Sequence, residues 1–228
     1  MFGVLQFPGS CDERDALTAC RRVGEARLVW HEDPKPDDVD VFIVPGGFSY
    51  GDYLRAGAIA RFAPAMTAVA RHAAEGRPVL GICNGFQVLC EAGLLPGALL
   101  TNDSLRFVFR QVDLVVERAE APFTSTCRAG QRLSIPVKHR VGRYFATPDQ
   151  LDELEARGGV VLRYAPGHNP NGSARDIAGV VNERGNVMGL MPHPEHAVDP
   201  LTGSVDGLRI LDALARAAGE PSARLLSA

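Results

Sequence analysis

Cys83 lies in the stretch Gly81-Ile82-Cys83-Asn84-Gly85-Phe86-Gln87. The apolar run Pro78-Val79-Leu80 precedes it, and the helix-like segment Val88-Leu89-Cys90-Glu91-Ala92 follows. A strand that turns sharply into a helix, with small residues on both sides of the turn, is a nucleophile elbow, here built on cysteine. The elbow lifts the sulfur off the end of a sheet and points the first amides of the helix at whatever the sulfur attacks. A helix N-terminus favours the thiolate, which is the reactive species. Pro192-His193-Pro194-Glu195, 110 residues downstream of Cys83, supplies the rest. His193 is the candidate base, and Glu195 can accept from its other ring nitrogen and fix the tautomer.

Acyl transfer also develops an oxyanion, which backbone N–H groups stabilise. Losing one such donor costs ~10²–10³ in rate. The Asn84 N–H, directly after the nucleophile, is one candidate. The Gly47 N–H is the other, in Pro45-Gly46-Gly47, where glycine allows a ligand to come close. Each piece has a plainer meaning by itself. A cysteine at a strand end is more often a small buried hydrophobe, and Cys11, Cys20, Cys90 and Cys127 keep that reading. A lone histidine between prolines is more often a loop residue, and Pro-Gly-Gly is more often only a turn. The combination with the elbow spacing favours a nucleophilic site.

The elements that must position these groups alternate between strand-like and helix-like segments, which predicts a mainly parallel α/β sheet. Residues 2–7 read as a strand near the sheet centre. Ser10 reads as the cap of a helix reaching about Gly24. Strands are expected at 26–30 and 39–44, a helix at 58–75, and then the strand and elbow around Cys83. Residues 107–117, 132–139 and 143–146 read as strands of an antiparallel or mixed patch. Residues 147–157 form a short helix, with Pro148 in its first turn. Strands return at 160–164, 177–182 and 187–191, the last two joined by a hairpin at 182–186. A helix capped by Ser204 spans 204–218. Open α/β sheets place their sites at the carboxyl ends of the strands. On that rule the loops 45–53, 81–85 and 192–196 converge at one edge.

The chain has 228 residues, a net charge of −3, 46% hydrophobic and 22% charged residues, so one globular domain over 1–228 is expected. The charge offers no case for nucleic acid or an anionic membrane surface. No basic and apolar leader opens the sequence, and no apolar run approaches the ~20 residues of a membrane span. The five cysteines are odd in number and irregularly spaced, so a reducing, cytoplasmic setting is expected. No G-x-x-x-x-G-K-[ST] or strand-following G-x-G-x-x-G occurs, and the histidines lack metal-ligand spacing, so neither ATP nor a metal is expected on this chain.

The elbow together with Pro192-His193-Pro194-Glu195 resembles the triad-type (class I) glutamine amidotransferases. The likeness runs from the first strand to the last helix. It is carried further by Pro45-Gly46-Gly47-Phe48-Ser49-Tyr50-Gly51-Asp52-Tyr53-Leu54-Arg55, Asn169-Pro170-Asn171-Gly172-Ser173 and Ile177-Ala178-Gly179. The resemblance implies a flavodoxin-like three-layer α/β sandwich, with a central mainly parallel sheet and a small mixed or antiparallel patch. It implies that Cys83 attacks the side-chain amide of glutamine to form a γ-glutamyl thioester, with His193 as acid and base and Glu195 as orienter. Gly46 and Gln87 would help hold the glutamine. Phe48, Tyr53 and Arg55 would form a partner-facing, gating loop. The branch of the family that this pattern resembles serves de novo purine synthesis. There ammonia passes to a larger synthetase subunit that binds ATP and magnesium and converts formylglycinamide to formylglycinamidine ribonucleotide, and a small third subunit can bridge the two. A glutaminase for another synthetase, a cysteine hydrolase and a non-catalytic subunit on the same fold are the alternatives. One departure stands out. Where that branch reads His-Gly-Glu-Gly-Arg, this chain has His139-Arg140-Val141-Gly142-Arg143, without the acid.

Overall fold

The computed structural model describes residues 1–119 and 122–219. In chain order they form β1 (Phe2–Gln6), α1 (Glu13–Cys20), β2 (Ala26–Trp30), β3 (Val41–Val44), α2 (Pro64–Ala74), β4 (Val79–Ile82), α3 (Asn84–Glu91) and β5 (Ala98–Thr101). These are followed by β6 (Val108–Val116), β7 (Arg132–His139), β8 (Val141–Phe145), α4 (Pro148–Ala156), β9 (Val160–Tyr164), β10 (Ile177–Val181), β11 (Val187–Leu190) and α5 (Gly207–Ala217). Among the described residues, the main sheet has nine strands in the order β2-β1-β3-β4-β11-β10-β9-β6-β7. From β2 to β11 the pairings are parallel, and beyond β11 they are antiparallel.

The two halves differ in sequence because they differ in what covers them. Val41-Phe42-Ile43-Val44 and Val79-Leu80-Gly81-Ile82 are buried at every position. Helices lie on both faces of a parallel sheet, so its strands read as continuous apolar runs. β7 alternates buried and half-buried residues, as a strand with one covered face does. The parallel core and the antiparallel patch therefore both agree with the sequence reading, and the structure shows how the two join. β6 and β7 continue the main sheet, and only β5 and β8 pair apart from it. β1 is one strand in from an edge, and β4 and β11 occupy the middle. β5 carries no alternation long enough to read from sequence.

Three expected helix boundaries move. Ser10 does not cap α1. Its hydroxyl accepts from the Phe7 N–H at 3.0 Å, closing the turn after β1, and the helix begins at Glu13. The helix expected over 58–75 is broken at Ala63, whose extended φ/ψ (−61°, 141°) is what a residue before proline favours. A 3₁₀ turn covers Ala60–Phe62, and α2 starts at Pro64. Ser204 accepts from the Asp206 N–H in the turn before α5 instead of capping the helix. At α4 the Thr147 cap is complete: its side chain and that of Gln150 accept each other's backbone N–H. The 182–186 hairpin also forms, with Asn182 Oδ1 accepting from both Asn186 N–H and Val187 N–H.

Candidate active site

β3, β4 and β11 are adjacent and parallel, with Val44 opposite Gly81 and Ile82 opposite Leu190. Their carboxyl ends are therefore level, and the chain leaves them at Pro45, Cys83 and Met191. The three loops expected at one edge are brought there by this register.

Cys83 occupies φ 51°, ψ −103°, far from the regions open to an L-residue. Such a backbone costs roughly 1–3 kcal/mol and persists only where its surroundings over-determine it. They do so here. The Cys83 N–H donates to Leu190 O at 2.8 Å, and its carbonyl accepts from the Gln87 N–H at 3.2 Å. The turn has no spare room: a Cβ at Gly81 would lie 2.7 Å from Gly85 O, and one at Gly85 would lie 1.8 Å from Val44 O. Cys83 as a residue is buried, at 6% exposure, and its thiol faces Lys138 O at 3.8 Å.

His193 is fully buried, and its Nδ1 lies 2.6 Å from Glu195 Oε1. The His193 N–H donates to Pro136 O at 2.8 Å, which ties the loop to β7. The Pro194 turn is braced by α5, where a Cβ at Gly207 would lie 1.9 Å from Pro194 O. His193 Nε2 has no hydrogen-bond partner among the described residues, so that nitrogen is placed to exchange a proton. Burial alone would depress the imidazole pKa. The Glu195 carboxylate and the Cys83 side chain outweigh burial and raise it to about 10. The arrangement can thus hold an imidazolium beside a sulfur nucleophile.

The Gly46-Gly47 loop is held from the β1 side. Ser10 and Gly47 form an antiparallel bridge, in which Cys11 N–H donates to Gly46 O and Phe48 N–H to Gly9 O. In that pairing the Gly46 carbonyl and the Phe48 N–H are used, and the Gly47 N–H has no backbone partner. Gly47 has φ 139°, a conformation that favours glycine. The Asn84 N–H, at the first position of α3, likewise has no backbone acceptor. Both expected oxyanion donors are therefore uncommitted.

Asn84 does more than lend its amide. Its side-chain oxygen accepts from the Ser49 N–H at 3.0 Å, and its Nδ2 reaches Asp52 Oδ1 at 3.2 Å and Gln87 Oε1 at 2.8 Å. That anchors the wound loop after Gly47, in which Tyr50, Asp52 and Leu54 all have positive φ. In this loop Phe48 and Tyr53 are 49% and 75% exposed, whereas Arg55 makes a two-point ion pair with Glu91 at 2.6 and 2.7 Å. Gln87, expected to hold substrate, has both ends of its amide engaged: Oε1 by Asn84, and Nε2 by donation to Val141 O. At the position where the acid is missing, it is the Val141 backbone that meets the elbow helix.

Sequence reasoning expected the strand over 132–139 but not that it closes the site. β7 delivers Lys138 and His139, and the chain then turns through Arg140 into β8. With Cys11, Asp12, Gly47, Phe48, Asp52, Cys83, Gln87, Thr101, Phe107 and Val141 they line a cavity of about 430 Å³, ample for an amino acid. Burial depresses the His139 pKa to about 3, and its Nε2 faces Asn171 Nδ2 at 2.9 Å. Asn171 also donates to Gly142 O, which gives the Asn-Pro-Asn-Gly-Ser motif a structural task. A strong ion pair joins Lys138 Nζ to Asp12 Oδ1. Asp12, His193, Glu195 and His196 offer ligand atoms within 4.8 Å of one another, yet those atoms face each other and Lys138, an internal ion-pair network. No sequence spacing links positions 12 and 138 to 193, since they meet only through the sheet.

A cysteine elbow, an imidazole and carboxylate at the ends of adjacent parallel strands, and free amides around them are the apparatus of a triad amidohydrolase. The description "CobB/CobQ-like glutamine amidotransferase domain" matches residues 2–209, and the chain belongs to this glutamine amidotransferase family. It is 60% identical over 210 residues to the phosphoribosylformylglycinamidine synthase subunit PurQ of Rubrobacter xylanophilus, covering 92% of this chain and 94% of that one. The PurQ subunit of Nocardia farcinica is 58% identical over 221 residues, covering 94% and 98%. Among solved structures, PurLQS from Thermotoga maritima includes a chain that superposes with a TM-score of 0.86 at 45% identity, over 94% of this chain and 97% of that one. The glutaminase domain of Trypanosoma brucei CTPS shares the fold, with a TM-score of 0.61 at 15% identity over 96% and 94% of the two chains.

Proposed function

We infer that this chain is the glutaminase subunit of phosphoribosylformylglycinamidine synthase, releasing ammonia from glutamine for a synthetase subunit that turns formylglycinamide ribonucleotide into the formylglycinamidine. The observation that carries the chemistry is the strained Cys83 elbow beside the His193–Glu195 pair, with the Gly47 and Asn84 amides uncommitted. The near full-length identity to PurQ subunits supports the choice of synthetase.

The steps follow from the geometry. Cys83 thiolate attacks the glutamine Cδ, and the carbonyl oxygen becomes an oxyanion facing the Gly47 and Asn84 amides. The imidazolium of His193 gives its proton to the leaving nitrogen, so the C–N bond breaks and ammonia departs from a γ-glutamyl thioester. Water then attacks the thioester, His193 takes its proton, the C–S bond breaks, and glutamate and Cys83 are restored. Glu195 keeps Nδ1 protonated and stabilises the charged ring. Gly46 and Gln87 border the glutamine, and Phe48, Tyr53 and Arg55 lie on the loop facing the partner. None of these steps draws on a cofactor or metal on this chain, and ATP and magnesium belong to the synthetase.

The partners are the larger synthetase subunit and a small third subunit, as the PurLQS assembly supports. Residues 1–228 act as a single amidotransferase domain, placed in the cytoplasm with purine synthesis. No described helix is long and apolar enough to cross a membrane. Glutamate release from glutamine, measured with and without the purified synthetase, tests the reading. Formylglycinamidine ribonucleotide made from glutamine only when this chain is present is the expected result. Failure to support that synthesis, with activity toward a different synthetase, would replace it.

A further inference from the structure

The site holds a second buried carboxylate beside the triad. Asp12, in the loop after β1, is 3% exposed. A buried carboxylate is costly unless charges and hydrogen bonds answer it. Asp12 Oδ1 pairs with Lys138 Nζ and lies 3.4 Å from His196 Nε2, and its Oδ2 is 3.8 Å from His193 Nδ1. His193 therefore has two carboxylates on the same nitrogen side, Glu195 at 2.6 Å and Asp12 at 3.8 Å. The backbone of Asp12 reaches the other half of the site. Its N–H donates to Gly46 O at 3.3 Å, alongside the Cys11 N–H at 3.3 Å. A peptide is planar and trans, so fixing the Gly46 carbonyl also fixes the direction of the Gly47 N–H. The contacts are close: a Cβ at Gly46 would lie 2.4 Å from Asp12 Oδ2 and 2.8 Å from His193 Cε1.

We propose that Asp12 is a positioning residue for glutamine hydrolysis, its carboxylate backing the His193 imidazolium as a second acid beside Glu195 and its amide setting the Gly46-Gly47 peptide. This rests on the assignment of Cys83 and His193 made above. Lys138 is the counter-ion. It holds Asp12 against the base and offsets part of its charge, which leaves Glu195 the stronger partner. The imidazolium is spent in the first half of each turnover and re-formed in the second, so the second carboxylate acts in both halves of the reaction.

The alternative is a purely structural Asp12–Lys138 ion pair, and kinetics in the reconstituted complex with the synthetase separate the two. Asp12→Asn keeps the backbone and side-chain shape. It should lower kcat for glutamate release at least about tenfold, ~1.4 kcal/mol, with KM for glutamine changed by less than about twofold. Because two carboxylates share one task, the Asp12→Asn/Glu195→Gln pair should lose more than the product of the single losses. Asp12→Asn also leaves a half-buried ammonium unpaired, which lowers stability by itself. Adding Lys138→Met removes that ammonium, so the melting temperature should recover while kcat stays low. Recovery of kcat in Asp12→Asn/Lys138→Met, or near-normal kcat in Asp12→Asn, would overturn the proposal. An unmodified complex that releases no glutamate would overturn the functional reading and this inference with it.

Discussion

At the residue scale, the proposed function concentrates reactivity at one of five free cysteines. Burial pushes the thiol pKa of Cys20 and Cys90 far up, and both are inert packing groups. Cys83 alone has the elbow. Cys83→Ala should therefore abolish glutamine-dependent synthesis in the complex and leave ammonia-dependent synthesis intact. Substantial glutamate release by that variant would contradict the assignment. In the proposed mechanism Glu195 neither attacks nor carries a proton. Glu195→Gln should cost less turnover than His193→Ala or Cys83→Ala, and combined variants of the three should be far from additive because they act as a unit. Equal and additive losses would count against these roles. The raised pKa of His193 has a further consequence. A group whose folded pKa exceeds its unfolded value of 6.5 contributes stability that is fully present below that pH and is lost as pH rises through about 10. The melting temperature of the wild type should fall more between those two pH values than that of His193→Gln, and equal slopes would refute the shift.

At the element scale, the site is a matter of strand ends held in place from behind. α3 presses on β3 so closely that Gly85 leaves no room for a methyl group, the obstacle being the Val44 carbonyl 1.8 Å away. Backbone cannot swing aside as a long side chain can. Gly85→Ala should cost about 1–3 kcal/mol in urea unfolding and remove glutaminase activity by displacing the elbow. Unchanged stability and labelling of Cys83 by a glutamine-like electrophile would show that α3 has slack. α5 does the same for the other catalytic loop through Gly207. The wound loop after Gly47 is held by Asn84, so the elbow helix and the oxyanion loop move as one piece.

At the scale of the whole molecule, hydrolysis without a synthetase wastes ammonia, and the isolated chain should be a poor glutaminase. The Gly46-Gly47 peptide is the proposed gate. The Cys11 and Asp12 N–H groups hold its carbonyl at 3.3 Å each, and turning the peptide would break both bonds. A turned peptide would present a carbonyl to the oxyanion, at a cost of ~10²–10³ in rate, or about 2.7–4 kcal/mol. Steady-state glutamate release should rise by about that range when the synthetase, its nucleotide and its substrate are added. Replacing the exposed Tyr53 with Ala should blunt the rise and spare the basal rate. Full-speed turnover by the isolated chain would rule the gate out.

The sequence by itself determined the α/β alternation, the buried runs at β3 and β4, the elbow and the partners of Cys83. Each is local, either a period of apolar residues, a glycine where nothing else fits, or three residues of one loop, and local patterns survive in one dimension. Gly46-Gly47 was legible for the same reason. The tertiary structure decided what comes from a distance. Asp12 and Lys138 are 126 positions apart, and only the packing of β7 beside the β1 loop makes them a pair against His193. The continuation of the sheet into β9, β6 and β7 was equally hidden, because an alternating strand looks the same in a small patch as in a large sheet. The caps that moved, at Ser10 and Ser204, have the same cause. A serine that can cap a helix can equally close a turn, and the choice falls to whichever backbone N–H the fold brings near it.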